Sequence, residues 1–106
     1  MATVIVKEND GHAVRVTWRD SEGNPFIPST VRWRIDCMTT GQTLQSWVSL
    51  TPGSVSNIDI PGSSNRIISA ANSSEVRQIT VQANAGLASQ RTVVGEYVVQ
   101  NNDFVA

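Results

Sequence analysis

The sequence predicts an all-β protein, a two-layer sandwich of seven antiparallel strands with a short helical turn near residues 64–71. Valine, isoleucine and threonine fill 31 of the 106 positions and leucine only 3, a skew toward stiff β-branched side chains that suit a pleated, half-buried surface. Apolar and polar residues alternate with period two in short segments, and clusters of Gly, Pro, Asn, Asp and Ser separate those segments. A chain of this length buries one core without disulfides or metal but not two, so residues 1–100 read as a single domain and 101–106 as a tail. A closed barrel of six or seven strands is the competing architecture.

The first strand, residues 3–7, runs into Asn9-Asp10-Gly11, where Asp-Gly supplies the positive φ of a tight hairpin turn. The second places His12, Val14, Val16 and Trp18 on one face and Ala13, Arg15, Thr17 and Arg19 on the other. A polar turn over residues 20–25 follows. The third strand has the cleanest alternation, with Val31, Trp33, Ile35 and Cys37 inward against Arg32, Arg34 and Asp36 outward. In the fourth, Leu44, Ser46, Val48 and Leu50 share one parity and Gln45, Trp47 and Ser49 the other. The fifth, residues 55–60, stops at Pro61-Gly62 because proline removes a ladder donor. Residues 64–71 read as one or two helical turns, capped by Ser63 or Ser64, with Ile67 and Ile68 docking inward. The sixth strand, 75–83, turns Ile79, Val81 and Ala83 inward and Gln78, Thr80 and Gln82 outward. The seventh, 89–100, carries valines on both parities, Val93 and Val99 against Val94 and Val98, and a bulge at Gly95 would turn all four to the core.

Composition narrows function. The net charge of -1 lacks the basic excess that a nucleic-acid binder needs to displace counterions. No apolar run is long enough for a membrane-spanning helix, and the N-terminus has neither the basic patch nor the apolar stretch of a secretory signal. The one cysteine, Cys37, excludes an internal disulfide and fits a reducing compartment. His12 and Cys37 both fall on inward parities, as a packed histidine and an inert thiol do. Carboxylates converge only at Asp20-Ser21-Glu22-Gly23-Asn24, whose spacing departs from a calcium loop and reads as a solvated turn. No phosphate loop, CxxC pair or nucleophile elbow is present. The expectation is a protein without catalysis, metal or cofactor. Asn72-Ser73-Ser74 matches a glycosylation sequon, which carries little weight without a signal.

The segments Val14-Arg15-Val16-Thr17-Trp18, Val31-Arg32-Trp33-Arg34-Ile35 and Ile79-Thr80-Val81-Gln82-Ala83-Asn84-Ala85-Gly86 resemble the second, third and sixth strands of fibronectin type III-like domains. One departure is plain: where that family has a tyrosine near the start of strand six, this chain has Arg77. The turn Asp20-Ser21-Glu22-Gly23-Asn24-Pro25, the Arg32-Trp33-Arg34 strand, Ile58-Asp59-Ile60-Pro61, Asn65-Arg66-Ile67-Ile68 and Glu75-Val76-Arg77 are similar to small immunoglobulin-like structural proteins of tailed bacteriophages. That resemblance implies a virion protein made in the bacterial cytoplasm. It would decorate or cement the capsid or belong to the neck or tail, with capsid, neck or tail subunits and further copies of itself as partners. A carbohydrate- or receptor-binding adhesion module, with Trp47 as a sugar platform, is the alternative.

Two surfaces qualify as partner-binding. If strands three, four, six and seven share a sheet, then Arg32, Arg34, Trp47, Gln78, Thr80 and Gln82 form one face, and Arg and Trp are enriched at interface centres. The competing account is that Trp47 merely stacks on an arginine of the next strand. The other surface is strand seven with its tail, where Val94, Val98 and Phe104 could join a neighbour edge to edge.

Overall fold

The computed structural model describes residues 4–101. It holds seven strands, β1 (Val4–Lys7), β2 (His12–Thr17), β3 (Val31–Cys37), β4 (Thr43–Leu50), β5 (Val55–Ile60), β6 (Ser74–Ala83) and β7 (Arg91–Gln100), with a 3-10 turn at Gly62–Asn65. The strands form a five-stranded sheet of order β1-β7-β6-β3-β4 and a two-stranded sheet β2-β5. The fold is all-β, as expected, and two separate sheets exclude the closed barrel. The expectation of wholly antiparallel strands fails, because β1 pairs β7 in parallel from Val4 opposite Tyr97 to Lys7 opposite Gln100. No β1–β2 hairpin forms. The turn's positive φ sits at Asn9 (63°), and the chain there changes sheets.

Period-two alternation builds the core. Val16 and Trp18 from the smaller sheet side, Ile58 and Ile60 from β5, and Val31, Trp33, Ile35, Ile79, Val81 and Ala83 from the larger sheet are all buried in one cluster. The two tryptophans are not on adjacent strands of a sheet; each is contributed from a different side of the sandwich. Trp18 Nε1 donates to the buried Ser56 Oγ at 2.9 Å, whereas Trp33 Nε1 is buried with no partner among the described residues. Cys37 is 1% exposed, the buried thiol that its parity predicts.

Inward parity on β6 continues beyond the apolar residues. Glu75 and Arg77 are both fully buried and joined at 2.7 Å. Glu75 Oε1 accepts the Ile68 N–H at 2.9 Å, and Oε2 accepts the Ser69 N–H and the Asn72 side-chain amide, each at 3.0 Å. Burial alone would push this carboxyl up, but the donors from Ile68, Asn72, Ser69 and Arg77 outweigh it and hold it at about 2. Arg77 in turn donates to the carbonyls of Ser64 and Arg66. Arg77 thus bonds back to the backbone upstream of its own strand.

The same carboxylate explains why the helical turn expected over 64–71 is confined to Gly62–Asn65, with no side-chain cap. The N–H groups of Ile68 and Ser69 point at Glu75 instead of at carbonyls of a preceding turn. Ile67 still docks inward, against Val6, Tyr97 and Val99. The Asn72 amide of the sequon is occupied by Glu75. Asn101, read as the start of a loose tail, is tied by its N–H to Ser73 O and by its side chain to Asn72 O. Residues 102–106, including Phe104, lie outside the described residues.

Asn65, itself fully buried, fastens β1. Its carbonyl accepts the Asn9 N–H at 3.0 Å. Its side-chain Nδ2 donates to Asp10 O at 2.7 Å and lies 3.0 Å from His12 Nδ1. Its Oδ1 accepts the Tyr97 hydroxyl at 2.7 Å. Because Nδ2 must donate, His12 Nδ1 accepts and the imidazole is neutral with its proton on Nε2. Gly62 is required beside this knot, since a Cβ there would strike the Asn9 carbonyl.

Three outcomes follow from this packing. Trp18→Phe and Trp33→Phe remove the same atoms, but only the first strands a hydroxyl, so it should cost about 1 kcal/mol more in chemical denaturation; equal losses would contradict the assignment of Ser56 as partner. Glu75→Gln should lose about 3–5 kcal/mol at neutral pH, because an unmatched Arg77 is left buried. Acid should lower the stability of the parent in two steps. Burial lowers His12 from 6.5, so its contribution is complete above 6.5 and lost as the pH falls below it. Glu75 lies at about 2 against an ordinary 4.5, so its contribution disappears between those values. Melting temperature against pH should lose the first limb in His12→Gln and the second in Glu75→Gln.

Candidate functional site

The outer face of the five-stranded sheet collects every described residue expected to bind a partner. The registers arrange it in rows that cross the strands. Val94 lies opposite Thr80 and Thr80 opposite Arg34, with Trp47 beyond on β4. One row up, Thr92, Gln82, Arg32 and Ser49 are successive partners. One row down are Glu96, Gln78, Asp36 and Thr43. Below that, Ile5 faces Val98 and Val98 faces Val76. The two surfaces that the sequence separates, Arg32, Arg34, Trp47, Gln78 and Thr80 on one hand and Val94 and Val98 on the other, are thus two ends of a single face.

A β-bulge aims Trp47. Trp33 pairs with Val48 but Ile35 pairs with Gln45, so Ser46 and Trp47 together span the place opposite Arg34. The indole then meets both arginines, with the Arg32 guanidinium carbon 4.0 Å from the ring centroid and that of Arg34 at 5.5 Å. Arg32 is held in place by Gln82, whose Oε1 accepts from Nε at 3.0 Å and Nη2 at 2.7 Å. Arg34 forms a two-pronged pair with Asp36, Nε to Oδ2 at 2.9 Å and Nη2 to Oδ1 at 2.8 Å, and Thr43 Oγ1 donates to the same Oδ1 at 2.7 Å. The hydrogen bond from Arg34 holds Asp36 below the usual carboxylate range, against the effect of its burial. Arg34 is thus neutralised within the chain, while Arg32 has no carboxylate partner among the described residues. The roles of Asp36 and Thr43 were missed from the sequence. The available signal was the spacing Arg34-x-Asp36, which puts opposite charges side by side on one face of a strand.

Strand seven departs from its expected shape. The β6–β7 ladder runs without interruption from Ser74 opposite Gln100 to Ala83 opposite Arg91, and Gly95 sits in it opposite Ile79. There is no bulge, so the valines stay divided: Val99 is buried, Val98 half-buried on the outer face, and Val93 and Val94 are 41% and 53% exposed on opposite faces. A Cβ at Gly95 would meet one atom within 4 Å, the Ile79 Cγ2 at 3.5 Å, so the position borders open space on the inward side.

The titratable groups inside the sandwich serve packing. His12 lies edge-on to Tyr97, with ring centroids 4.6 Å apart, and both belong to the Asn65 knot. Burial pushes the Tyr97 hydroxyl up to about 12. An open cavity of ≈ 180 Å³ lies beside them, lined among others by Val14, Ile79, Gly95 and Tyr97. Asp20 caps its own turn, its Oδ1 accepting the N–H groups of Glu22 and Asn24 at 2.9 Å. Among the described residues no cluster of ligating side chains is arranged to hold a metal. Comparison with models of protein families, with curated proteins and with solved structures finds no match.

Proposed function

We propose that the chain is a non-catalytic interaction module with an immunoglobulin- or fibronectin type III-like sandwich, which takes a structural place on a tailed-phage particle. The strand order supports the architectural part of this reading. The run β7-β6-β3-β4 with β2-β5 opposite has the order of the G, F, C, C′ strands against B and E in such sandwiches, and Trp33 is buried on the strand that corresponds to C. A fold of this kind hosts many functions, so the role is argued from the surface.

The arginine–tryptophan stack on the outer face is the observation that carries the role. Gln82 and Asp36 fix the two guanidinium groups against Trp47 before any partner arrives, which lowers the ordering cost of binding. Arg32 remains as an uncompensated cation for a carboxylate or carbonyl on the partner. A protein surface suits this better than a sugar, because the Arg32 guanidinium covers a ring face on which a sugar would stack. Repetition over a capsid, neck or tail lattice would turn a modest affinity per site into stable attachment.

Particles assembled with Trp47→Ala should show reduced occupancy, equivalent to more than about 1 kcal/mol per site, while the free variant keeps the parental circular dichroism. Arg32→Glu should reduce it further by placing like or unpaired charge at the contact. Val94→Lys with Val98→Lys probes the far end of the same face. Full occupancy in all of them, or failure of the parent to copurify with particles at fixed stoichiometry, would overturn the proposal.

A further inference from the structure

Residues 91–96 of β7 form a sheet edge unlike the others. β1 covers β7 only from Tyr97 to Gln100, so among the described residues no strand pairs with the outer side of 91–96. Both faces of this segment are exposed over Arg91, Thr92, Val93 and Val94. The inward side carries an apolar knob, Val93, exposed to 41%. Two residues on, the same side carries a hole, since Gly95 has no side chain and borders the ≈ 180 Å³ cavity over Ile79 and Val14.

We infer that this edge pairs with the same edge of a second copy, antiparallel about Val94. Placing Val94 opposite Val94 of the other copy sets Val93 opposite Gly95 and Thr92 opposite Glu96, twice by symmetry. Side chains directly opposite in an antiparallel ladder share a face, so each Val93 enters the cavity beside the other copy's Gly95. The ladder ends where β1 of the other copy begins, at Tyr97. The knob and the hole fix the direction, because only the antiparallel arrangement sets Val93 opposite Gly95 in both copies at once. The two five-stranded sheets become continuous, and the outer face of each copy stays free. Val94 belongs both to this edge and to the face proposed for the partner, so the edge is tested on the free chain, where no partner is present.

Sedimentation velocity on the free chain, without particles, tests it. A five-residue edge is a small contact, so a dimer with a dissociation constant on the order of 0.1–1 mM is expected. Val94→Lys sets two ammonium groups against each other at the dyad and should weaken the dimer about tenfold or more. Val94→Cys should form a disulfide-linked dimer under mild oxidation much faster than Ser49→Cys on β4, because only residues at the dyad meet their own copies; Cys37 is buried and does not compete. The cysteine experiment stands even if the lysine variant fails to fold. A parent that stays monomeric at 1 mM (about the upper limit of the expected constant) overturns the inference. So do a dimer indifferent to Val94→Lys and equal cross-linking of the two cysteines. A dimer that forms only in a variant beginning at Val4 also overturns it, and assigns the edge to residues 1–3 of the same chain.

Discussion

A carboxylate with no access to water must have its lone pairs and its charge matched from within, and Glu75 meets that demand by gathering one end of the molecule around itself. Two backbone N–H groups, an amide and a guanidinium converge on it, and the guanidinium that neutralises it is anchored to two carbonyls of the same connection. The path of residues 62–72 is therefore dictated by polar satisfaction more than by apolar burial. That path delivers Asn65 to the corner where it meets Asn9, Asp10, His12 and Tyr97. Through Asn65 the departure of β1 from β2 and its placement beside β7 depend on a carboxylate about ten residues further along the chain.

Strand positions were legible because period-two alternation is a local property, and β3 and β5 begin and end where the residues say. The outer face followed from the same reasoning: Arg32, Arg34, Trp47, Gln78 and Thr80 share it because parity puts them there once the sheet order is guessed. Partner choice is not local. Asp10-Gly11 carries a hairpin signal, yet the turn contains contacts to Asn65 that no short-range rule anticipates. Glu75 and Arg77 extend the inward parity of Ile79, Val81 and Ala83, but a charge on that parity has meaning only when its counter-charge and its hydrogen-bond donors are known together. The helical reading of 64–71 failed for that reason, its N–H groups having been claimed by Glu75.

The unequal widths of the sheets divide the interior. The β2-β5 pair covers the main cluster around Trp18, Trp33, Ile35 and Ile58, while Val6, Tyr97, Val99 and Ile67 make a separate small cluster at the β1 side. Between them, the smaller sheet leaves the first half of β7 uncovered, which is why Val93 is exposed on what is otherwise an inward parity. Regions with few apolar contacts open at lower free energy than the core, so the main cluster sets global stability and the β1 side sets local opening.

The parallel pairing of β1 with β7 has a mechanical consequence. Val4 enters the pair at its Tyr97 end, and the chain leaves it at Gln100, the opposite end. Tension applied to whatever precedes Val4 and follows Gln100 therefore acts along the strands and loads all the hydrogen bonds of the pair at once, in shear. A hairpin between β1 and β2 would have left the first strand to be peeled one bond at a time. The sheet switch at Asn9 thus gives the domain a clasp between its two ends that resists pulling, a property suited to a component that must hold its position under strain.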